Sequence, residues 1–335
     1  MLLEAGGVER TAAADRPRGR RAQWADWLGS QVFILPNFLG FLTFTLLPVL
    51  ASLCLSFVKW DVVRPVNTAQ FVGLGNFKHL LGFHLENGLI VANDTEFWYY
   101  VYNTLFLMLG IPVSIFSSLF LALVMNQRLR GIVFYRAVFF LPTVCPAIAV
   151  CLLWQWIYNG EWGLLNQALA PVYNFVNSLF GTHWRPPQWL TNPQTAKPAF
   201  ILLGLWAGIG GYNCILYLAG LQQIPQELYE AADLDGANWW HKLRHVTWPM
   251  LSPTTFFIAI MSVIHGFQGG FTTAYIMTQG GPAGATTTIV YYIYNQGFRY
   301  FHMGYAASIA WVLFVVVFVA TLINWKYGGR RVTYL

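Results

Sequence analysis

Charge is distributed along this chain in a way that leaves few folds open, because six long stretches contain no Asp, Glu, Lys or Arg. They run from Gln31 to Val58, Phe97 to Gln127, Ala137 to Gly160, Pro198 to Gln226, Pro253 to Phe298 and Tyr300 to Trp325. Each holds a segment of about 20 residues, enough for ~30 Å of hydrocarbon at ~1.5 Å per residue. Apolar residues make up 56% of the 335 positions and charged residues 10%. The expectation is an all-α polytopic membrane protein with six transmembrane helices, not a soluble core.

Lys and Arg set the orientation. With the N-terminus inside, the inner side holds Arg10, Arg16, Arg18, Arg20, Arg21, Arg128, Arg130, Arg136, Lys242, Arg244, Lys326, Arg330 and Arg331. The outer side holds only Lys59, Arg64, Lys78, Arg185, Lys197 and Arg299. This bias predicts both termini in the cytoplasm. The net charge of +6 is then a matter of topology, and no nucleic-acid partner is expected. Cys54, Cys145, Cys151 and Cys214 all fall in predicted spans and read as buried hydrophobes, not as a disulfide scaffold.

Four regions follow. Residues 1–30, rich in Ala, Gly and Arg, are expected to be a disordered cytoplasmic tail; Arg20-Arg21 precedes an apolar run too long for an export signal, so a retained anchor is expected. Residues 31–98 carry the first helix and an outer loop, 99–326 the main transmembrane domain, and 327–335 a cytoplasmic tail. A second outer segment, 160–197, carries Trp184, Pro186, Pro187 and Trp189, and such aromatics commonly anchor a bilayer interface. Pro142 and Pro146 predict a kink in the third span.

Between the fourth and fifth spans lies the polar loop 222–253. From Pro225 it reads PQELYEAADLDGANWWHKLRHVTWPMLSP. Pro225 suits a first helical turn, Glu227 and Glu230 suit a helix N-terminus, Gly236 breaks the run, and a second helix is expected from Trp239 until Pro249. Its six charges would each cost roughly 2 to 3 kcal/mol in the bilayer, so the stretch must be presented to water.

Glu230-Ala231-Ala232, Asp235-Gly236-Ala237 and then Pro249 and Pro253 resemble the "EAA" loop of permease subunits of binding-protein-dependent ABC importers. Leu243 stands where that family usually has an aromatic, and Trp248 where it usually has Leu. Other elements are similar to the sugar-type (maltose and glycerol-phosphate) branch. They are Phe71 to Phe77, Thr278 to Pro282 and Gly304 to Ala307, while Asn103-Thr104, Gly131, Arg136, Pro142, Trp154, Gly163 and Asn166 follow the pattern of the permease family as a whole. The resemblance spans about Phe71 to Trp325. It implies the type-1 ABC importer permease fold in a bacterial inner membrane. It implies as partners cytoplasmic ATPase subunits, a second homologous permease and an extracytoplasmic solute-binding protein. Glu230, Ala231, Ala232, Asp235, Gly236, Ala237 and Pro249 would form the ATPase-coupling helix.

The residues themselves limit how such a transporter is powered. No Asp or Glu falls inside any predicted span, whereas ion-coupled carriers place ionisable groups at mid-membrane; His265 is the one titratable exception apart from thiols and tyrosines. No Gly-Lys dipeptide occurs, so a P-loop is absent, and no H-E-x-x-H or G-x-S-x-G occurs either. Neither a cofactor nor a metal nor enzymatic activity of its own is expected. An uncharged, hydroxyl-rich solute calls for amides, hydroxyls and aromatic faces, which makes Tyr212, Asn213, Ser262, Gln268, Tyr275 and Asn295 the path candidates, with helix packing as the competing role for each. Thr272 stands where many family members carry Asp. The expected activity is ATP-driven import of a carbohydrate or related polyol. An ion-coupled carrier or channel and a membrane-embedded enzyme remain the alternatives.

Overall fold

The computed structural model describes residues 20–127, 130–183 and 185–329. Trp184, Arg128 and the terminal arginines at 10, 16, 18, 330 and 331 lie outside them. Two compact units divide between Cys54 and Leu55.

Helix α1 starts at Arg20, inside the stretch expected to be a tail, and contains the candidate span Gln31–Ser56. The residues from Ala22 onward are ordinary helix formers, so the helix of the apolar segment propagates back into them. A π turn at Leu42–Leu46 comes just before Pro48. The wider turn keeps the proline ring clear of the preceding carbonyls.

The second unit contains α2 (Gly75–Leu81), α3 (Thr95–Met125), α4 (Ile132–Val144), α5 (Ala147–Ile157) and α6 (Leu164–Phe180). There follow α7 (Pro193–Gln222), α8 (Gln226–Leu234), α9 (residues 239–250), α10 (Ser252–Thr278), α11 (Ile289–Tyr294) and α12 (Met303–Gly328). Helices α3, α7, α10 and α12 are each long and apolar enough to cross a membrane. The expected third span is different. It is the pair α4 and α5, bent by 99° at Cys145–Pro146. Cys145 is extended at ψ 138°, as a residue before proline prefers, so the break falls at Pro146 while Pro142 sits inside α4. Among the described residues there are thus five candidate spans, or six with the bent pair taken as one.

Two segments expected to be loops have structure. In 59–96, β1 (Val58–Lys59) pairs with β2 (Gln70–Phe71), and β3 (Phe83–Glu86) pairs with β4 (Leu89–Ala92) through Asn87-Gly88, both at positive φ as a two-residue hairpin demands. In 160–197, α6 repeats apolar residues at Leu165, Leu169, Val172, Phe175 and Leu179, a helical spacing that Pro171 does not interrupt.

Three buried clusters hold the second unit. One joins α5, the first half of α7, α10 and α11 through Trp154, Tyr158, Phe200 and Met277. Another joins the C-terminal halves of α3 and α7 to the start of α10 through Leu119, Met125, Tyr217 and Leu251. The third packs Leu80, Phe97, Phe267, Tyr292 and Ile309 at the opposite end of α3.

Asp94 ties that far end together. Its Oδ1 accepts from the Phe97 amide at 2.8 Å, capping α3, and its Oδ2 accepts from the hydroxyls of Tyr292, at 2.8 Å, and Tyr305. Burial, then the bond to Asp94, pushes the Tyr292 hydroxyl well above the usual tyrosine range, so it remains a donor. Asp94→Ala removes a cap and the acceptor shared by two tyrosine hydroxyls. The expected loss is roughly 3 kcal/mol, read as a lower unfolding temperature of the purified protein.

Asn103 and Thr104 pin the same end. Asn103 Nδ2 donates to the carbonyls of Gly284 (2.8 Å) and Thr287 (3.1 Å), and Thr104 Oγ1 accepts from the Ile289 amide at 3.1 Å. Asn166 binds the segment 160–197 together, donating to Gly160 at 2.9 Å and accepting from Trp189 Nε1 at 2.8 Å. At the other end Arg136 Nη2 caps α3 by donating to the Met125 carbonyl at 2.9 Å.

Candidate functional site

The bend between α7 and α10 is built from local signals. Helix α8 ends at Asp235, and Gly236 follows at φ +73°. The Gly236 amide then donates to Asp233 (3.1 Å) and the Ala237 amide to Ala232 (2.9 Å), the paired bonds of a Schellman stop. Asp235-Gly236-Ala237 is therefore a stop signal whose glycine supplies the left-handed position. Asn238 restarts the chain as a helix by accepting from the His241 amide at 2.9 Å.

Helix α9 does not stop at Pro249 as the sequence suggested. A π turn at Leu243–Thr247 precedes Trp248-Pro249, and helical backbone continues to Met250. This is the same device as in α1, a widened turn followed by proline.

Two contacts brace the halves of the bend. Tyr229 Oη lies 2.9 Å from Thr247 Oγ1, and Lys242 Nζ donates to Asp233 Oδ1 at 2.7 Å. Tyr229, Val246 and Met250 pack on the cluster that joins α3, α7 and α10. The free side is unusually apolar. Leu234 is 91% exposed, Trp239 63% and Trp240 58%. Glu230, Ala231, Asp235 and Gly236 are also exposed, whereas Ala232, Ala237 and Pro249 are half-buried. The product is a stiff polar knuckle with an exposed apolar tip, rooted in three spans.

A second feature lies midway along α3. A cavity of ≈ 640 Å³ is lined by Ser114 from α3, Thr143 from α4, Gly208, Tyr212 and Asn213 from α7, and Ser262 and His265 from α10. Helix α7 is broken there. Gly211 is extended, and the helix restarts with Tyr212 and Asn213 as its first residues. The free amides of that new N-terminus add donors to the wall. Tyr212 is 71% exposed and stands edge-on to Phe140 at 6.5 Å.

The sequence-derived path candidates therefore divide. Tyr212, Asn213 and Ser262 share one cavity, and His265 joins them. Gln268, Tyr275 and Asn295 do not line it. Tyr275 instead stacks on Phe271 at 5.7 Å and meets Tyr291 and Tyr294 edge-on, while Asn295 accepts weakly from Arg299 at 3.5 Å. Sequence reasoning missed Ser114, Thr143 and the break in α7. The Gly208-Ile209-Gly210-Gly211 run was the available signal. Thr143 Oγ1 is buried without a partner among the described residues.

Comparison with known proteins places this geometry. Residues 110–326 match the model of the family described as binding-protein-dependent transport system inner membrane component. The chain is 34% identical to a probable ABC transporter permease protein, YesP, of Bacillus subtilis (strain 168), covering 96% of this chain and 97% of the relative. It is 32% identical to the arabinooligosaccharides transport system permease protein AraP of the same organism, covering 98% and 97%. It is also 32% identical to the trehalose/maltose transport system permease protein MalF of Thermococcus litoralis, covering 90% and 93%. Its fold is similar to a chain of a bacterial ABC transporter involved in import of the acidic polysaccharide alginate, at a TM-score of 0.76, 22% identity, and 92% and 98% coverage.

Proposed function

Because the chain belongs to the family of binding-protein-dependent transport system inner membrane components, we propose that it is the permease subunit of an ATP-driven importer that brings a carbohydrate or related polyol into the cytoplasm. The observation that carries this reading is the braced bend at 225–250. A loop that only linked two spans would have no use for a Schellman stop, two cross-braces and a buried root, combined with an exposed Leu-Trp-Trp tip. That combination suits a lever fitted into a groove of another protein. In this reading the groove belongs to cytoplasmic ATPase subunits. Glu230, Ala231, Ala232, Asp235, Gly236, Ala237 and Pro249 form and shape the lever.

The remaining parts follow from the same reading. The bent pair α4–α5 counts as one of six spans, both termini are cytoplasmic, and the chain is a multi-pass protein of a bacterial inner membrane. It pairs with a second homologous permease and receives solute from an extracytoplasmic binding protein. The cavity around Tyr212, Asn213 and Ser262 passes the solute. Amides and hydroxyls there replace its water, and the Tyr212 face is free for stacking. Nucleotide binding to the ATPase favours one arrangement of the lever over the other, and that difference shifts the spans between inward-open and outward-open states.

Uptake into proteoliposomes tests the proposal. Vesicles holding this chain, its sister permease and the ATPase, with the binding protein outside, should accumulate labelled maltotriose or arabinotriose only with ATP inside. Equal uptake driven by a proton or sodium gradient, with the ATPase left out, would favour an ion-coupled carrier.

A further inference from the structure

The second unit holds another cavity, larger than the one at mid-span. It has a volume of ≈ 880 Å³ and lies at the other end of α3 from the knuckle, against the chain from Lys59 to Asp61, α2, the starts of α3 and α12, and α11. Along α3, Glu96 on this cavity and Ile111 on the mid-span cavity are 15 residues apart, roughly 22 Å of helix, so the two are separate sites. The volume is within the range of small-molecule sites, about 300–1,000 Å³.

Its floor is fixed and its walls are free. Asp94 has both oxygens committed, as described above. Trp60 Nε1 is used on the Arg64 carbonyl at 3.2 Å, which leaves its ring to line the cavity, with the ring of Tyr300 as a second aromatic lining. The carboxylate of Glu96 has no partner among the described residues, and that of Asp61 has only a long contact of 3.9 Å to Arg64. His79 and His302 each use Nδ1, on Tyr305 Oη at 3.3 Å and Gln296 Oε1 at 3.2 Å, so their Nε2 atoms remain free.

This inventory selects a ligand class. An anion would meet three carboxylates, Asp61, Asp94 and Glu96, against the single ammonium of Lys59. A quaternary ammonium would use the aromatic rings and carboxylates but neither imidazole, and Lys59 would repel it. A sugar hydroxyl both donates and accepts. Carboxylates accept its hydrogen bond, imidazole nitrogens and the Tyr300 hydroxyl serve in either sense, and Trp60 covers the apolar face of the ring. We propose that this cavity is a second saccharide-binding site for a neutral sugar unit, distinct from the mid-span cavity. That it is a second site rests on the solute path proposed above; the ligand class rests on the lining of this cavity alone.

The test is binding, with the full chain and its accompanying subunits in nanodiscs free of glycoside detergent. Saturation-transfer NMR and calorimetry are run with maltotriose, arabinotriose, trigalacturonate and choline. A neutral trisaccharide should bind. Trp60→Ala and Glu96→Gln should each weaken that binding at least 10-fold, with unfolding temperatures near that of the parent, while Tyr212→Ala leaves this binding in place. Three results would overturn the proposal: neither neutral trisaccharide binds, trigalacturonate or choline binds in preference, or binding disappears with Tyr212→Ala and survives Trp60→Ala. Failure of ATP-driven uptake would sink the transport reading and leave this binding unchanged.

Discussion

Glu230→Lys should reduce ATP-driven uptake to background while the protein stays in the membrane at its normal level. Glu230 is exposed on α8 and makes no hydrogen bond or ion pair among the described residues. Reversing its charge therefore costs the fold little, within about 0.5 kcal/mol for a surface position of this kind. A partner groove sees something different. A carboxylate that meets a complementary charge on docking contributes roughly 2 to 5 kcal/mol when one side is removed, and placing a like charge there adds repulsion. At about 1.4 kcal/mol per factor of ten, the loss of coupling should be 30-fold or more. Immunoblotting for membrane level, with uptake and ATPase stimulation measured together, separates lost docking from lost protein. Uptake at the parent rate would remove the lever from the mechanism.

The second large effect is expected from Gly210→Val. A Cβ at Gly210 would run into the Phe139 carbonyl oxygen and come within 2.7 Å of its carbon and 2.9 Å of Phe139 Cβ. Two of these atoms are backbone of α4, so no side-chain rotation relieves the contact. Helices α4 and α7 must separate, at a cost of about 3 kcal/mol for overpacking of this severity. The unfolding temperature and the amount of purified protein should both fall, and uptake should be lost with them. Gly204→Ala is the contrasting case one turn and a half earlier. Nothing lies within 4 Å of its added carbon, and its unfolding temperature should match the parent's. Equal stability of the two variants would show that α4 and α7 do not approach as closely as described.

How much of this was readable beforehand depends on the range of the interaction. The long apolar helices were readable because an uncharged run of 20 or more residues leaves hydrocarbon as its natural surroundings. The two-helix bend was readable because its stop and start are local, set by Gly236 and Asn238 within a few residues. The resemblance to sugar permeases agrees with the named relatives. Pro249 does not end its helix because a π turn just upstream accommodates the ring, and nothing in the sequence marks that turn. The Asn87-Gly88 hairpin and α6 carry local signals of their own, a positive-φ turn pair and a helical apolar spacing, within polar segments broken by Gly and Pro.

The division among the path candidates was not readable at all. Tyr212, Ser262 and Tyr275 look alike in sequence as polar or aromatic residues inside apolar helices. Only the packing of α7 against α4 and α10 separates the first two from the third. The roles of Asn103, Thr104 and Asp94 depend on partners more than 180 residues away, beyond any periodicity or spacing rule.

Helices α7 and α10 and the pair α4–α5 are each interrupted partway, at Gly210–Gly211, Gly269–Gly270 and Cys145–Pro146. Peptide groups released within a span need either protein partners or water, and the open space beside Gly211 has room for the second. A hydrated interior is a poor insulator. In the proposed importer, keeping small ions from leaking through would fall to the buried side-chain layers on either side of it, the one rooted at Leu119 and Tyr217 and the one at Phe97 and Phe267.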